Sequence, residues 1–328
     1  MFNVLRWGQR PAQSSPKKKA RQKSSDTMLP LFIIGLAVIA GVIEPKFLSA
    51  DNLINLARQM IPLLIISLGQ AYAIISGGLD LSLAAVMSLA GVVGVLIMPQ
   101  YGPIIGVAIM LATGIVVGLL SGGIIAYLRT SPLIVTLGML SVAQALALIL
   151  SGGVPIYDAH PGYVQAIGFD SFLNIPHMVW IGAAMAVAAA LVLRHTVFGR
   201  HVYAIGSNAS AAAKSGVNVK FNTMLVYGVS GFCAAIGAVV LTAWVGSAQP
   251  IASPSLTLES LAAVVLGGVA LTGGSGGIRQ VFYGVLILSM LSNVMNMIGV
   301  SAYYQTLTIG IVIILAVILD RLRGRERS

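Results

Sequence analysis

The chain has 328 residues, of which 57% are hydrophobic and 9% charged, where a soluble domain carries about 25% charged residues. Those proportions exclude a soluble globular protein. The formal net charge of +10 sits mostly at the two ends and in one internal loop, which is the pattern of a membrane-topology signal and not of a nucleic-acid-binding surface. One cysteine, Cys233, lies inside an apolar run, so there is no disulfide framework, no CxxC metal site and no redox pair.

Residues 1–27 read as a solvated cytoplasmic tail with SPKKKARQK at 15–23. The apolar run that follows, LPLFIIGLAVIAGVI (29–43), leads into EPKFLSADN, which lacks a small-x-small cleavage site, so it is expected to be a retained span and not a removed signal. Breaks at Gly, Pro and charged clusters divide the chain into ten expected spans near 28–43, 53–77, 81–98, 103–127, 132–151, 177–193, 222–244, 258–272, 279–298 and 302–319. With the N-terminus inside, all of the 19 Lys and Arg except Lys46 and Arg58 fall on one side of the membrane. Adding or removing one span scrambles that separation. The expected fold is therefore all-α and polytopic, with both termini cytoplasmic, a transmembrane domain over 28–320 and a basic tail over 321–328.

Ten spans make two halves of five, about 28–175 and 176–320, and an odd number forces equivalent elements to cross in opposite directions. Internal matches point to such an inverted repeat. SLAAV occurs at 82–86 and again at 260–264, while Gly114 with Gly284, Ser131 with Ser301, and Thr136-Leu137 with Thr306-Leu307 share one offset of 170. Inverted repeats with a site between the halves are typical of transporters. Asp80 and Glu259 precede the two SLAAV copies. Each is expected at the boundary end of the span it opens, Asp80 at the cytoplasmic face and Glu259 at the outer face, where the positive end of a helix favours an acid. An ionisable group near a span also suggests ion coupling, which makes a secondary transporter using Asp80 and Glu259 the alternative.

The chain has 37 glycines, and GxxxG at Gly114–Gly118 is expected to let helices approach closely. The stretch VVLGGVALTGGSGG (264–277) invites comparison with a phosphate cradle, but no GxxxxGK[ST] occurs anywhere, so this chain is not expected to bind ATP. Gln70, Gln144, Asn293 and Asn296 lie within spans and suit interhelical bonds or a polar path; Asn293 and Asn296 are the candidates for the path. The loop RHTVFGRHVYAIGSNASAAAKSGVNVK (194–220) contains an Ala-rich stretch that Asn208 can cap and Gly216 can stop, predicting a short helix. Its small apolar face suits a protein groove better than a lipid surface. His195 and His201 have no ligand constellation around them, and no metal is expected.

GRHVYAIGSNASAAAKSGV in this loop resembles the cytoplasmic coupling segment of ribose/xylose/arabinose-type permeases of ABC importers. ISGGLDLSLAAVMSLAGVV (75–93), SPLIVTLGMLSVAQALALILSGGVPI (131–156), LESLAAVVLGGVALTGGSGG (258–277) and NVMNMIGVSAYYQTLTIGIVIILAV (293–317) are similar to that family's other segments, in the same order. The resemblance implies a multi-pass subunit of the bacterial inner membrane that imports a sugar or sugar-like solute and acts as a dimer of permeases. It implies a cytoplasmic ABC ATPase that hydrolyses the ATP, an external or periplasmic solute-binding protein, and no cofactor or enzymatic activity in this chain. Carried over by position, Gly199, Arg200, Gly206, Asn208, Ala212 and Gly216 would form the coupling helix, and Asp80 and Glu259 match the family's acids. Arg279-Gln280 departs from the family's tendency to continue with a small residue, as does the long basic tail.

Overall fold

A computed structural model describes residues 16–251 and 255–325; most of the basic N-terminal tail and residues 326–328 lie outside the described part. The fold is almost wholly helical. Its helices are α1 (Pro16–Ile43), α2 (Ala50–Ile75), α3 (Leu83–Leu128), α4 (Pro132–Ser151), a single turn α5 (Pro161–Tyr163), α6 (His177–His195), α7 (Val197–Lys214), α8 (Val219–Val245), α9 (Leu256–Leu266), α10 (Ile278–Met297) and α11 (Ala302–Arg325). Strands β1 (Ser171–Phe172) and β2 (Ile175–Pro176) form a minute hairpin whose two-residue turn, Leu173-Asn174, takes positive φ at both positions.

The burial pattern is that of a membrane protein. Leu31, Val38, Ile134, Ile149 and Leu191 are exposed on the outer helices, whereas Asp80, Gln70, Ser230, Thr136 and Asn293 are buried inside. Among the described residues, α2, α3, α4, α6, α8 and α10 are long and apolar enough to cross a membrane. α3 is two arms: Gly102, between Pro99 and Pro103, has φ 80 and breaks the helix. Its arms, 83–101 and 103–128, fold back on each other, with Gly94 facing Met110 and Gly106 facing Met98. α9 differs from expectation. Its 11 residues rise about 16 Å, too little to cross alone, so the eighth expected span, 258–272, is a half-span followed by a glycine-rich loop.

α2 is the hub. Every side chain from Met60 to Ile75 is buried, and the helix packs against α6, α8, α9 and α10. The tightest seam joins the second arm of α3 to α8. Gly114, Gly118 and Gly122 recur every four residues, and a Cβ on any of them would overlap α8 backbone at Gly231, Tyr227 or Met224. The GxxxG expectation is thus met and extended by one turn.

Candidate functional site

The connection 76–82 does not stay at the end of the bundle. Asp80 accepts hydrogen bonds from Ser82 N (3.0 Å), Ser82 Oγ (2.6 Å) and Ser230 Oγ (2.7 Å). Ser230 lies roughly 16 Å along α8 from its start, so the chain leaving α2 climbs back to the middle of the bundle before α3 begins. Tyr227 Oη donates to Leu79 O at 3.3 Å and Thr136 Oγ1 reaches the same carbonyl at 3.4 Å, which clamps the turn between α8 and α4. Asp80 is therefore not at a boundary end, and it is no simple helix-end charge: the N-cap of α3 is Ser82, and the acid stands two residues outside it.

The connection before α9 re-enters as well. After α8 ends at Val245, Pro250 O accepts from Gln144 Nε2 at 2.6 Å, thirteen residues into α4, so this chain also turns back into the bundle before α9 starts. The starts of α3 and α9 then meet. Thr257 Oγ1 accepts the hydrogen bond of Ala84 N at 3.1 Å, supplying a partner to an amide in the first turn of α3 that the helix itself leaves free. Glu259 lies inside the first turn of α9 and accepts from Ser255 Oγ, one turn earlier. The two acids are thus not equivalent caps: Asp80 is fastened to another helix, and Glu259 is held by its own.

Glu259 also borders a cavity of about 190 Å³ enclosed by α2, α8, α9, α10 and α11, with Gln59, Leu63, Trp244, Ser289 and Ser292 around it. Its lining on α2 and α8 comes from the first half of α2 and the last turns of α8, away from the helix ends that meet α7. Asn293 and Asn296 do not line it. Asn293 exchanges two amide hydrogen bonds with Asn52 (2.9 and 3.2 Å), joining α10 to α2, and Asn296 Oδ1 accepts from Gln305 Nε2 at 2.7 Å. The two asparagines that suit a path by sequence are spent on helix–helix bonds; of the polar groups at the cavity, Glu259 is conspicuous in the sequence, whereas Gln59, Ser289 and Ser292 are not, because each is an unremarkable Gln or Ser in a span.

At the α7 end, three glycine-bearing segments converge. Gly274 N donates to Ile75 O at 2.8 Å, and a Cβ on Gly206 would overlap both that carbonyl and Gly274 N. Phe198 stacks on Tyr72 with ring centroids 6.2 Å apart, and Tyr203 Oη donates to Gly276 O at 2.8 Å; burial pushes the Tyr203 phenol up, which keeps it a donor. α7 breaks at Asn208, whose backbone is extended. Asn208 Oδ1 accepts from Ala211 N (2.9 Å) and Ser210 Oγ (2.8 Å), capping a second arm, 209–214. That arm ends with Gly216 at φ 86, Gly216 N bonding Ala213 O and Val217 N bonding Ala212 O, which is a Schellman stop. The six loop residues divide accordingly: Gly199 and Gly206 are pressed into the bundle and Ala212 is buried, while Arg200, Asn208 and Gly216 are exposed.

A family model described as "Branched-chain amino acid transport system / permease component" matches residues 52–317. The chain is 38% identical to the ribose import permease protein of Bacillus subtilis (strain 168), over 89% of this chain and 91% of that protein. It is 33% identical to the ribose import permease protein of Haemophilus influenzae, over 90% and 93% of the two chains. It is 32% identical to the L-arabinose transport system permease protein of Escherichia coli (strain K12), over 92% and 91%.

Proposed function

Because the chain belongs to the branched-chain amino acid transport system / permease component family, we propose that it is the membrane subunit of an ATP-driven importer that carries a sugar or sugar-like solute inward. The observation that carries the cargo class is the similarity, over nine-tenths of both chains, to permeases named for ribose and arabinose. ATP is hydrolysed by a separate cytoplasmic subunit, since this chain has no phosphate-binding motif. A solute-binding protein delivers the cargo outside, and two permease copies or paralogues pair in the bacterial inner membrane.

Ten membrane-crossing or half-crossing segments in two inverted repeats, with both termini cytoplasmic, fit this reading. It is supported by the re-entrant connections before α3 and α9, two helices that each carry a SLAAV copy within their first turns and meet at Ala84 and Thr257. The exposed second arm of α7 is the surface offered to the ATPase; its first arm, tied to α2 and to the loop 267–277, would carry any displacement of that surface into the bundle.

The test is reconstitution with a cytoplasmic ABC ATPase and a solute-binding protein. ATP-dependent uptake of ribose into proteoliposomes is expected. Uptake that needs a proton or sodium gradient and persists without the ATPase would sustain the ion-coupled carrier instead. The hydrogen bonding of Asp80 favours the first: its carboxylate is engaged by three donors.

A further inference from the structure

Buried polar side chains without partners are rare in folded proteins, because each forfeits its hydrogen bonds to water and receives none in return. In α2 two lie one turn apart. Gln70 is fully buried with neither its Oε1 nor its Nε2 bonded, and Ser67 is fully buried with its Oγ unbonded. A pair of orphaned groups in the hub helix is costly as packing and asks for another use.

Their placement indicates one. Leu63 lines the cavity, and Ser67 and Gln70 follow it at i+4 and i+7, on the same stripe of α2, with Gln59 one turn before it on the cavity wall. Gly69, beside them, packs on Ser230 and Cys233 at 3.1 and 3.0 Å from where its Cβ would stand. Ser67 and Gln70 therefore lie near the level of Asp80 and Ser230 and of the meeting of α3 and α9, about 6 Å and about 10 Å along α2 from Leu63 on the cavity wall.

We infer that the cavity and the Ser67–Gln70 pair are successive stations for a polyhydroxylated solute: hydroxyls enter among Gln59, Ser289, Ser292 and Glu259, then exchange hydrogen bonds with Gln70 and Ser67 as the passage between α2, α9 and α10 opens. This rests on the reading of the chain as a sugar permease. A primary amide, donor and acceptor at once, beside a hydroxyl is suited to neutral polyols, and two such groups hold them weakly enough to release.

The experiment uses the full complex in proteoliposomes with radiolabelled ribose. Gln70→Met and Ser67→Ala nearly preserve volume, so they remove the polar atoms and keep the packing. The double variant is expected to lower ribose uptake roughly tenfold or more, with undiminished thermal stability and ATPase association. Unchanged uptake in a stable double variant would overturn the proposal, since removal of idle orphan groups should be silent or stabilising. Should the double variant fail to assemble, Ser67→Cys in a Cys233→Ser background decides: modification by a hydrophilic thiol reagent during turnover, slowed by ribose, is expected, and no modification while Ser292→Cys reacts would overturn it. If the wild-type complex moves neither ribose nor arabinose, the sugar reading itself falls and this site's ligand class falls with it.

Discussion

Asp80 holds three donors with one carboxylate, and its substitution separates structure from transport at the scale of one residue. Asp80→Ala leaves Ser82 and Ser230 with unpaired buried groups and should cost about 1–3 kcal/mol, read as a lower unfolding temperature in detergent. Asp80→Asn keeps an acceptor and should cost less and retain ATP-driven uptake; a stable Asp80→Asn protein without uptake would favour ion coupling. The Asn52–Asn293 clasp offers a second test, because Asn293→Leu leaves Asn52 Oδ1 without its donor, though Nδ2 keeps Phe47 O, and Asn52→Leu strands the Asn293 amide. Asn293→Leu should destabilise by about 1–3 kcal/mol and the Asn52→Leu, Asn293→Leu pair by less than the sum of the single changes, measured by the same unfolding assay. That an acid sat in an apolar run was plain in the sequence. That Ser230, 150 positions away, would hold it was not, because serines are common in apolar spans and carry no register signal.

Among the elements, α7 shows how far local chemistry can be read. Asn208 and Gly216 were recognisable as the ends of a short helix, since capping depends on neighbours within one turn. Gly206 was grouped with them on the docking face, and the fold turns it the other way, against Ile75 and Gly274. Gly206→Arg should therefore empty the membrane fraction of folded protein, seen as aggregation on size-exclusion chromatography, and says nothing about the ATPase. Ala213→Arg, on the exposed arm, should leave the permease folded and abolish co-purification of the ATPase. The α3–α8 seam was legible as GxxxG, though its partner helix was not. Gly118→Leu drives a side chain into the Tyr227 carbonyl and should destabilise beyond the about 1–3 kcal/mol typical of overpacking, since backbone cannot move aside as a rotamer can.

For the whole molecule, the arrangement of charges predicts sidedness. In a Cys233→Ser background, Ser215→Cys should react with an impermeant thiol reagent from the cytoplasmic side and Tyr157→Cys from the outer side; labelling of both from one side would overturn the sidedness read from charge. Hydropathy, charge and glycine spacing alone determined that this is a polytopic helical membrane protein, and the SLAAV pair marked the two helices, α3 and α9, that meet inside it. They could do so because lipid solvation, loop charge and small-residue packing act on each segment by composition. Tertiary structure decided that α3 and α9 begin inside the bundle, that α9 is half a span, and that Ser67 and Gln70 lie unpartnered near a cavity. These depend on contacts such as Ala84 with Thr257, 173 residues apart, and a pairing across that distance leaves no periodicity in the chain.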